Sequence, residues 1–302
     1  MPSARLTALA KLLQRRHASR LGRETPSGMR KAHAIMRSRS VSERDTPVAY
    51  RGKPPCSTGL TSCSAGSLRT EDSVKRVKDV TLYQLFKTRT PIVGVVHLLP
   101  LPTSPRWGGS LKAVIDRAEQ EATALASGGV DGIIVENFFD APFPKNQVDP
   151  AVVSAMTVVV QRIQNLVTLP VGINVLRNDA RSAIAIATCT KAQFIRVNVL
   201  TGVMATDQGI IEGEAHHLLR YRRELGSDVK IFADVLVKHA RPLSAVNLTT
   251  AVQDTIERGL ADAVIMSGWA TGDPPNLEDL ELATSAANGT PVLIGSGASW
   301  EN

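Results

Sequence analysis

The sequence predicts a parallel (β/α) barrel of the TIM type, (β/α)8 in plan and truncated after strand seven. Three observations carry this reading. Short apolar runs recur about thirty to forty residues apart, each ends in a polar residue, and a helical pattern separates each run from the next. A strand buried on both faces is almost wholly apolar, so a polar group at its C-terminal end asks for a reason. A parallel barrel supplies one, because its site lies at the C-terminal ends of the strands, where such groups converge.

In chain order, a short helix over Val80 to Phe86 is placed to cover the barrel bottom. The first run, PIVGVVH at 92–97, ends in His97, and a helical pattern follows from Leu111 to Ala126. GIIVEN, with its strand at 132–136, ends in Glu136 and Asn137, and Asp149-Pro150 then opens a helix over Val152 to Leu166. PVGINV at 170–175 carries Asn174, after which Asp179 starts a helix from Ala180 to Thr188. FIRVN, in the strand at 193–198, is followed by the long loop Val199 to Gly213, read as a lid with Gly202, Gly209 and Gly213 as hinges. A helix from Glu214 to Leu225 leads to KIFADV at 229–235, and another from Leu248 to Gly259 leads to AVIMS at 262–267. A helix from Leu277 to Ala287 precedes the seventh strand, 291–295. The chain stops at Asn302, where an eight-stranded barrel needs another strand and helix, so two unpaired sheet edges are expected.

Parity sorts the faces. Side chains alternate with period two, so Val171, Ile173 and Val175 share one face while Gly172 and Asn174 share the other. Likewise Ile195 and Val197 oppose Phe194, Arg196 and Asn198, and Ile231, Ala233 and Val235 oppose Phe232 and Asp234. The aliphatic face meets the helices, and the other points into the barrel. Glu136 and His97 fit the inward set, although their strands are too uniformly apolar for parity to decide.

The charge is uneven. Residues 1–42 hold ten Lys/Arg and one acid, Glu24, for a net of +9; the whole chain is +7, so the remainder sums to −2. The basic character belongs to the tail, and a nucleic-acid-binding face on the barrel is not indicated. Leu6, Leu9 and Leu13 form a helical stripe among Arg5, Lys11, Arg15, Arg16 and Arg20, so residues 1–45 read as a transit-peptide-like segment, mitochondrial or, alternatively, plastid. The competing reading is a disordered basic arm for an acidic partner. Residues 46–75, rich in Pro, Ser, Gly and Thr, read as a disordered linker, and the barrel domain spans 76–302. No apolar run is long enough to span a bilayer. Cys56, Cys63 and Cys189 show no metal-ligand spacing or disulfide framework.

At the strand ends, Glu136 and Asp234 suit general acid/base work, since one mouth can hold two carboxylates in different environments. The competing reading is that one of them merely neutralises Arg196, a buried cation that needs a partner. His97 is a base, a metal ligand or a core group. Lys238 and His239 follow Asp234 closely enough to share the mouth; the lysine would form a Schiff base, hold a phosphate or be a solvated surface group. The cofactor is unknown, and a divalent metal on His97, Asp234, His239 and Glu136 is chemically compatible without any HxH or HExxH signature. Asn137, Asp140, Asn174, Asn178, Asp179 and Asn198, with Arg196 and Ser267, make a polar rim that would orient the hydroxyls of a substrate, capping being the plainer explanation for Asp179 and Asn178. Gly295, Ser296 and Gly297 follow strand seven, where barrels cradle phosphate with backbone N–H groups.

The stretches GVVHLLPLPTSPRWGG, VENFFDAPF, NVLRNDA, RVNVLTGVMATDQGIIEGEA, ADVLVKHARPL, SGWATGDPP and GSGASWEN resemble the BtpA/SgcQ family, which groups with the ribulose-phosphate-binding barrels. The resemblance runs from about 85 to 302. It implies an α/β barrel whose chemistry is not established, one named bacterial member being linked to photosystem I biogenesis and others lying beside sugar-uptake genes. Two departures are Leu236, where the family frequently has His, and the absent C-terminal strand and helix. The expectation is an isomerase, epimerase or lyase acting on a small phosphorylated metabolite, in a homo-oligomer. Its alternative is a non-catalytic biogenesis or stability factor for a membrane complex such as photosystem I.

Overall fold

A computed structural model describes residues 35–38 and 82–299. The expected targeting segment, apart from 35–38, and the expected linker, with Cys56 and Cys63, lie outside the described residues. The barrel's parallel strands are β2 (Val93–His97), β3 (Gly132–Glu136), β4 (Val171–Asn174), β5 (Phe194–Val197), β8 (Lys230–Asp234), β10 (Ala263–Met266) and β11 (Val292–Ile294). Each falls within a residue of the predicted bounds. Five helices alternate with them: α1 (Leu111–Ser127), α2 (Pro150–Leu166), α3 (Ala180–Thr190), α4 (Ala215–Glu224) and α6 (Leu277–Ala286). The sixth, α5 (Leu248–Gln253), continues into a π turn over Asp254–Arg258. Side-chain caps at Ser110, Asp149, Asp179, Asn247 and Asn276 satisfy the first orphan N–H groups of α1, α2, α3, α5 and α6.

An eighth parallel strand does not occur among the described residues. The seam it would fill is bridged by β1 (Ile35–Ser38), which pairs antiparallel with β11 on one side and β2 on the other, closing the order β1-β11-β10-β8-β5-β4-β3-β2. The two open edges expected from sequence are therefore paired, and by residues from the segment read as a targeting tail.

The barrel interior is layered. At its bottom, Leu82 and Phe86 of the short helix 82–86 enter among Val93, Ile134, Phe194, Phe232, Ala263, Ile265 and Leu293. Phe194 stacks on Phe232 with centroids 4.9 Å apart, and Phe86 meets Phe194 edge-on at 5.5 Å. A Cβ on Gly172 would stand 2.1 Å from the Phe194 ring, so the inward position on β4 has to be glycine for that ring to cross the barrel. The opposite face of each strand, Ile133, Val135, Val171, Ile173, Ile195, Val197, Ile231 and Ala233, packs under the helices. This is the parity read from sequence.

The expected lid over Val199 to Gly213 is instead an ordered hairpin. β6 (Val203–Thr206) and β7 (Gly209–Glu212) pair antiparallel, and β9 (Ala240–Pro242) adds to β6 as the third strand. Met204 and Ile211 face inward onto Val199 and Val237, and that small core holds the sheet against the barrel mouth.

Candidate functional site

Register builds the site. In-line pairing sets His97 beside Glu136 and Glu136 beside Asn174, while β5 and β8 run in register with Arg196 level with Phe232, two residues before Asp234. Above the phenylalanine layer the inward positions of successive strands are therefore polar, and all of them meet at the C-terminal mouth. Their burial removes water, so each must find partners in its neighbours.

Arg196 is the hub. Its Nε and Nη2 donate to Asp234 Oδ2 and Oδ1, both at 2.8 Å, and Nη1 lies 3.8 Å from Glu136 Oε2. Burial works against the charge of Arg196, but the charge and hydrogen bonds of Asp234, with Glu136 behind, more than reverse this and raise its pKa. Asn198 Nδ2 also donates to Asp234 Oδ2 at 2.9 Å, and Ser267 Oγ sits 3.5 Å from Oδ1. Asp234 is thus fully engaged. Glu136 accepts from Asn174 Nδ2 at 2.8 Å through Oε2, while its Oε1 faces His97 Nε2 at 3.9 Å. The His97 ring stacks on Phe138 at 4.4 Å. Asn198 Oδ1 is buried and has no hydrogen-bond partner among the described residues, which leaves an acceptor beside the ion pair.

His97, Glu136, Phe138, Arg196, Lys238, Thr271, Gly295 and Ser296 surround a cavity of about 20 Å³, room for roughly one water. Two hydrogen bonds hold the loop 267–276 across it: His239 Nε2 with Thr271 Oγ1 at 3.0 Å, and Gly272 N donating to Ser296 Oγ at 3.0 Å. As it stands the cavity is too small for a metabolite-sized ligand. At Gly295, just past β11, a Cβ would meet Ile265 at 2.5 Å and Ser267 Oγ at 3.0 Å.

Lys238 extends over the cavity. Burial first, and then the charges of Arg196 and Arg177, depress its pKa below the ordinary lysine value, against the opposing pull of Asp234 and Glu136. Burial likewise lowers Arg177, whose Nη2 donates to the Lys238 carbonyl at 2.8 Å. Among the described residues no carboxylate forms an ion pair with either cation. Three cations, Arg177, Arg196 and Lys238, thus gather with the carboxylates of Glu136 and Asp234, while Asp207 also acts on Arg177.

Several of the candidate residues have hydrogen-bond partners within the fold. Asn137 donates to Asp140 at 2.9 Å and accepts from Leu176 N at 2.7 Å, and Asp140 accepts from Leu101 N at 2.7 Å. Together they tie the loop after β3 to those after β2 and β4; burial raises the pKa of Asp140. Asn178 uses both ends of its amide on Val199, at 2.8 and 2.9 Å, and Asp179 caps α3 while binding Val148 N. These four satisfy loop backbone rather than presenting a polyol-binding rim. Arg196 spends its Nε/Nη2 edge on Asp234, and its Nη1 lies 3.8 Å from Glu136. The four-ligand metal set is not assembled: Asp234 is occupied, the exposed His239 turns to Thr271, and among the described residues no group of three metal-ligating side chains gathers. Ser296 binds the loop through its hydroxyl, and at Gly297 a Cβ would strike Pro274 at 2.2 Å.

Arg177, Phe138 and Thr271 belong to the site and were not singled out from sequence. Arg177 stands in LRND immediately before Asn178 and Asp179, both candidates from the sequence.

The BtpA family model matches residues 88–302. The chain belongs to the BtpA family. It is 79% identical over 221 residues to the photosystem I biogenesis protein BtpA of Synechocystis, covering 73% of this chain and 77% of that one. It is 50% identical over 214 residues to an uncharacterised protein of Thermococcus kodakarensis, covering 71% and 80%. An uncharacterised mitochondrial protein of Caenorhabditis elegans is 33% identical over 235 residues, covering 75% and 84%. Among solved structures, a Schiff-base-forming fructose-1,6-bisphosphate aldolase overlays at a TM-score of 0.40 and 13% identity, covering 71% of this chain and 78% of that one. That overlay is too loose to bear on chemistry. No helix among the described residues is long and apolar enough to cross a membrane.

Proposed function

We propose that this BtpA-family barrel binds a small phosphorylated metabolite at its mouth and moves a proton on it, as an isomerase, epimerase or lyase does. The observation that carries the reading is the buried polar layer itself: a carboxylate, Glu136, with one oxygen turned to His97 beside a cavity lined by Lys238 and by Arg196, the latter paired with Asp234. A protein that used the barrel only as a scaffold would gain nothing from burying such groups. Asp234 and Arg196 hold each other in place, so proton exchange falls to Glu136, with His97 as its relay. Lys238 and Arg177 face the anionic group, and Asn198 Oδ1 accepts from a ligand donor. Triose and pentose phosphates at a hundred times their dissociation constant should stabilise the fold by about 2.7 kcal/mol. Glu136→Gln should keep this thermal shift and lose the exchange of substrate hydrogen with deuterated solvent. A panel that shifts nothing sinks the proposal.

The second reading, a biogenesis factor, is favoured by the name of the Synechocystis relative. A Synechocystis strain lacking that relative discriminates: complementation by this chain that survives Glu136→Gln favours a scaffold, and complementation lost with it favours chemistry. Residues 1–45 we propose as a targeting segment, mitochondrial or plastid; fused to a reporter they should direct it to an organelle, and a cytosolic reporter refutes this.

A further inference from the structure

The mouth carries more positive charge than one phosphate clamp needs, and its cations differ in kind. Arg177 and Arg196 stay charged at any pH a cell uses, because a guanidinium cannot be deprotonated in a protein. Lys238 is the one cation of the three that can become a neutral amine. It also lines the cavity with Glu136 and His97 and has no ion-pair partner among the described residues. Arg196 lines the same cavity but is held along its Nε/Nη2 edge by Asp234, with Nη1 3.8 Å from Glu136. Arg177, whose Nη2 donates to the Lys238 carbonyl, stands beside the lysine. Burial, with the two arginines, favours the uncharged form of the Lys238 amine over the opposing pull of Asp234 and Glu136.

We propose that Lys238 binds its substrate covalently, its Nζ condensing with the carbonyl carbon of a small phosphorylated aldehyde or ketone whose phosphate is held by Arg177. The inference rests on the metabolite-binding reading above and names the substrate class. The neutral amine attacks the carbonyl carbon, the C=O π pair moves to oxygen, and a proton passes from nitrogen to that oxygen to give a carbinolamine. Protonation of the hydroxyl by the Glu136–His97 pair lets it leave as water while the nitrogen lone pair closes the C=N bond. The step is redox-neutral and releases only water. The resulting iminium withdraws electrons from the adjacent carbon, and Glu136 is then placed to take the proton there. This gives the lysine and the carboxylate complementary tasks in one cavity.

Trapping tests the proposal on the full chain. Dihydroxyacetone phosphate with sodium borohydride should leave one reduced adduct, read by intact mass and located by peptide mapping on Lys238. Lys238→Arg, checked for a native thermal transition, should lose the adduct; Lys112→Arg, at an exposed helix position paired with Asp116, should keep it. Glycerol 3-phosphate, which has the phosphate and no carbonyl, separates the two readings by thermal shift. If both phosphates stabilise the fold and borohydride traps nothing, the covalent step is overturned and anion binding stands. If neither phosphate binds and nothing is trapped, both fall. An adduct persisting in Lys238→Arg also overturns the assignment.

Discussion

Arg196 and Asp234 show how far a single buried pair constrains the mouth. Both are nearly inaccessible and joined by two 2.8 Å bonds, so removing one partner leaves the other charged and dry. Asp234→Ala should cost about 3–5 kcal/mol in urea unfolding, and the double change Arg196→Met with Asp234→Leu should recover most of it, because an apolar pair carries no desolvation cost. If the double variant is as unstable as the single, the pair is not the cause. Lys238 makes the opposite prediction, about pH. Its folded-state pKa lies below the ordinary 10.5, so between the two values the unfolded chain binds more protons, and stability rises with pH through that window. Lys238→Met removes this dependence. The stability of the natural chain minus that of Lys238→Met should increase from neutrality toward 10.5; a flat difference would show that the amine is not depressed. The inward parity of Asn174, Arg196, Asn198 and Asp234 was legible in the sequence because alternation on short strands is a geometric rule. What parity could not show was which polar groups would spend themselves on loop backbone. Asn137, Asp140 and Asn178 looked like ligands because their residue types suit both tasks, and only three-dimensional neighbours separate them.

At the scale of elements, the strands and helices were readable because both faces of a parallel strand are apolar while helices repeat near 3.6 residues. The hairpin of β6 and β7 was not, although VMATDQGII has the period-two pattern and a polar turn. Its glycines suggested a hinged loop, yet Gly202 and Gly209 have φ near +75° and +97°, which serves tight turns. The glycine on β4 acts differently. Gly172 is small so that Phe194 can lie across the barrel and stack on Phe232, which supports the polar layer from beneath. Gly172→Ala should therefore overpack and destabilise by about 1–3 kcal/mol, with Phe194→Leu partly compensating in the double variant. Additive losses in denaturant melts would mean that the two side chains do not compete for that space.

The whole molecule is a closed sheet whose last gap is covered from an unexpected direction. Seven parallel strands leave β2 and β11 with unpaired N–H and C=O groups, and β1 supplies partners to both, Ile35 and Met36 opposite Gly94 and Val93, Arg37 and Ser38 opposite Ile294 and Leu293. Parallel edges left open invite pairing with other chains. The same four residues fall within the segment read as a targeting sequence, so cleavage after residue 38 would reopen the seam. The comparison of two deletions follows directly. Removing residues 1–34 should leave the thermal midpoint unchanged, whereas removing 1–38 should lower it and promote concentration-dependent association, since each lost ladder bond is worth about 0.5–1.5 kcal/mol and both edges reopen. The His97, Glu136 and Gly295 side of the mouth sits on β2, β3 and the end of β11, so ligand-induced stabilisation should weaken more in the longer deletion than the loss of stability alone predicts. Identical midpoints and identical association in the two deletions would show that β1 does not close the barrel.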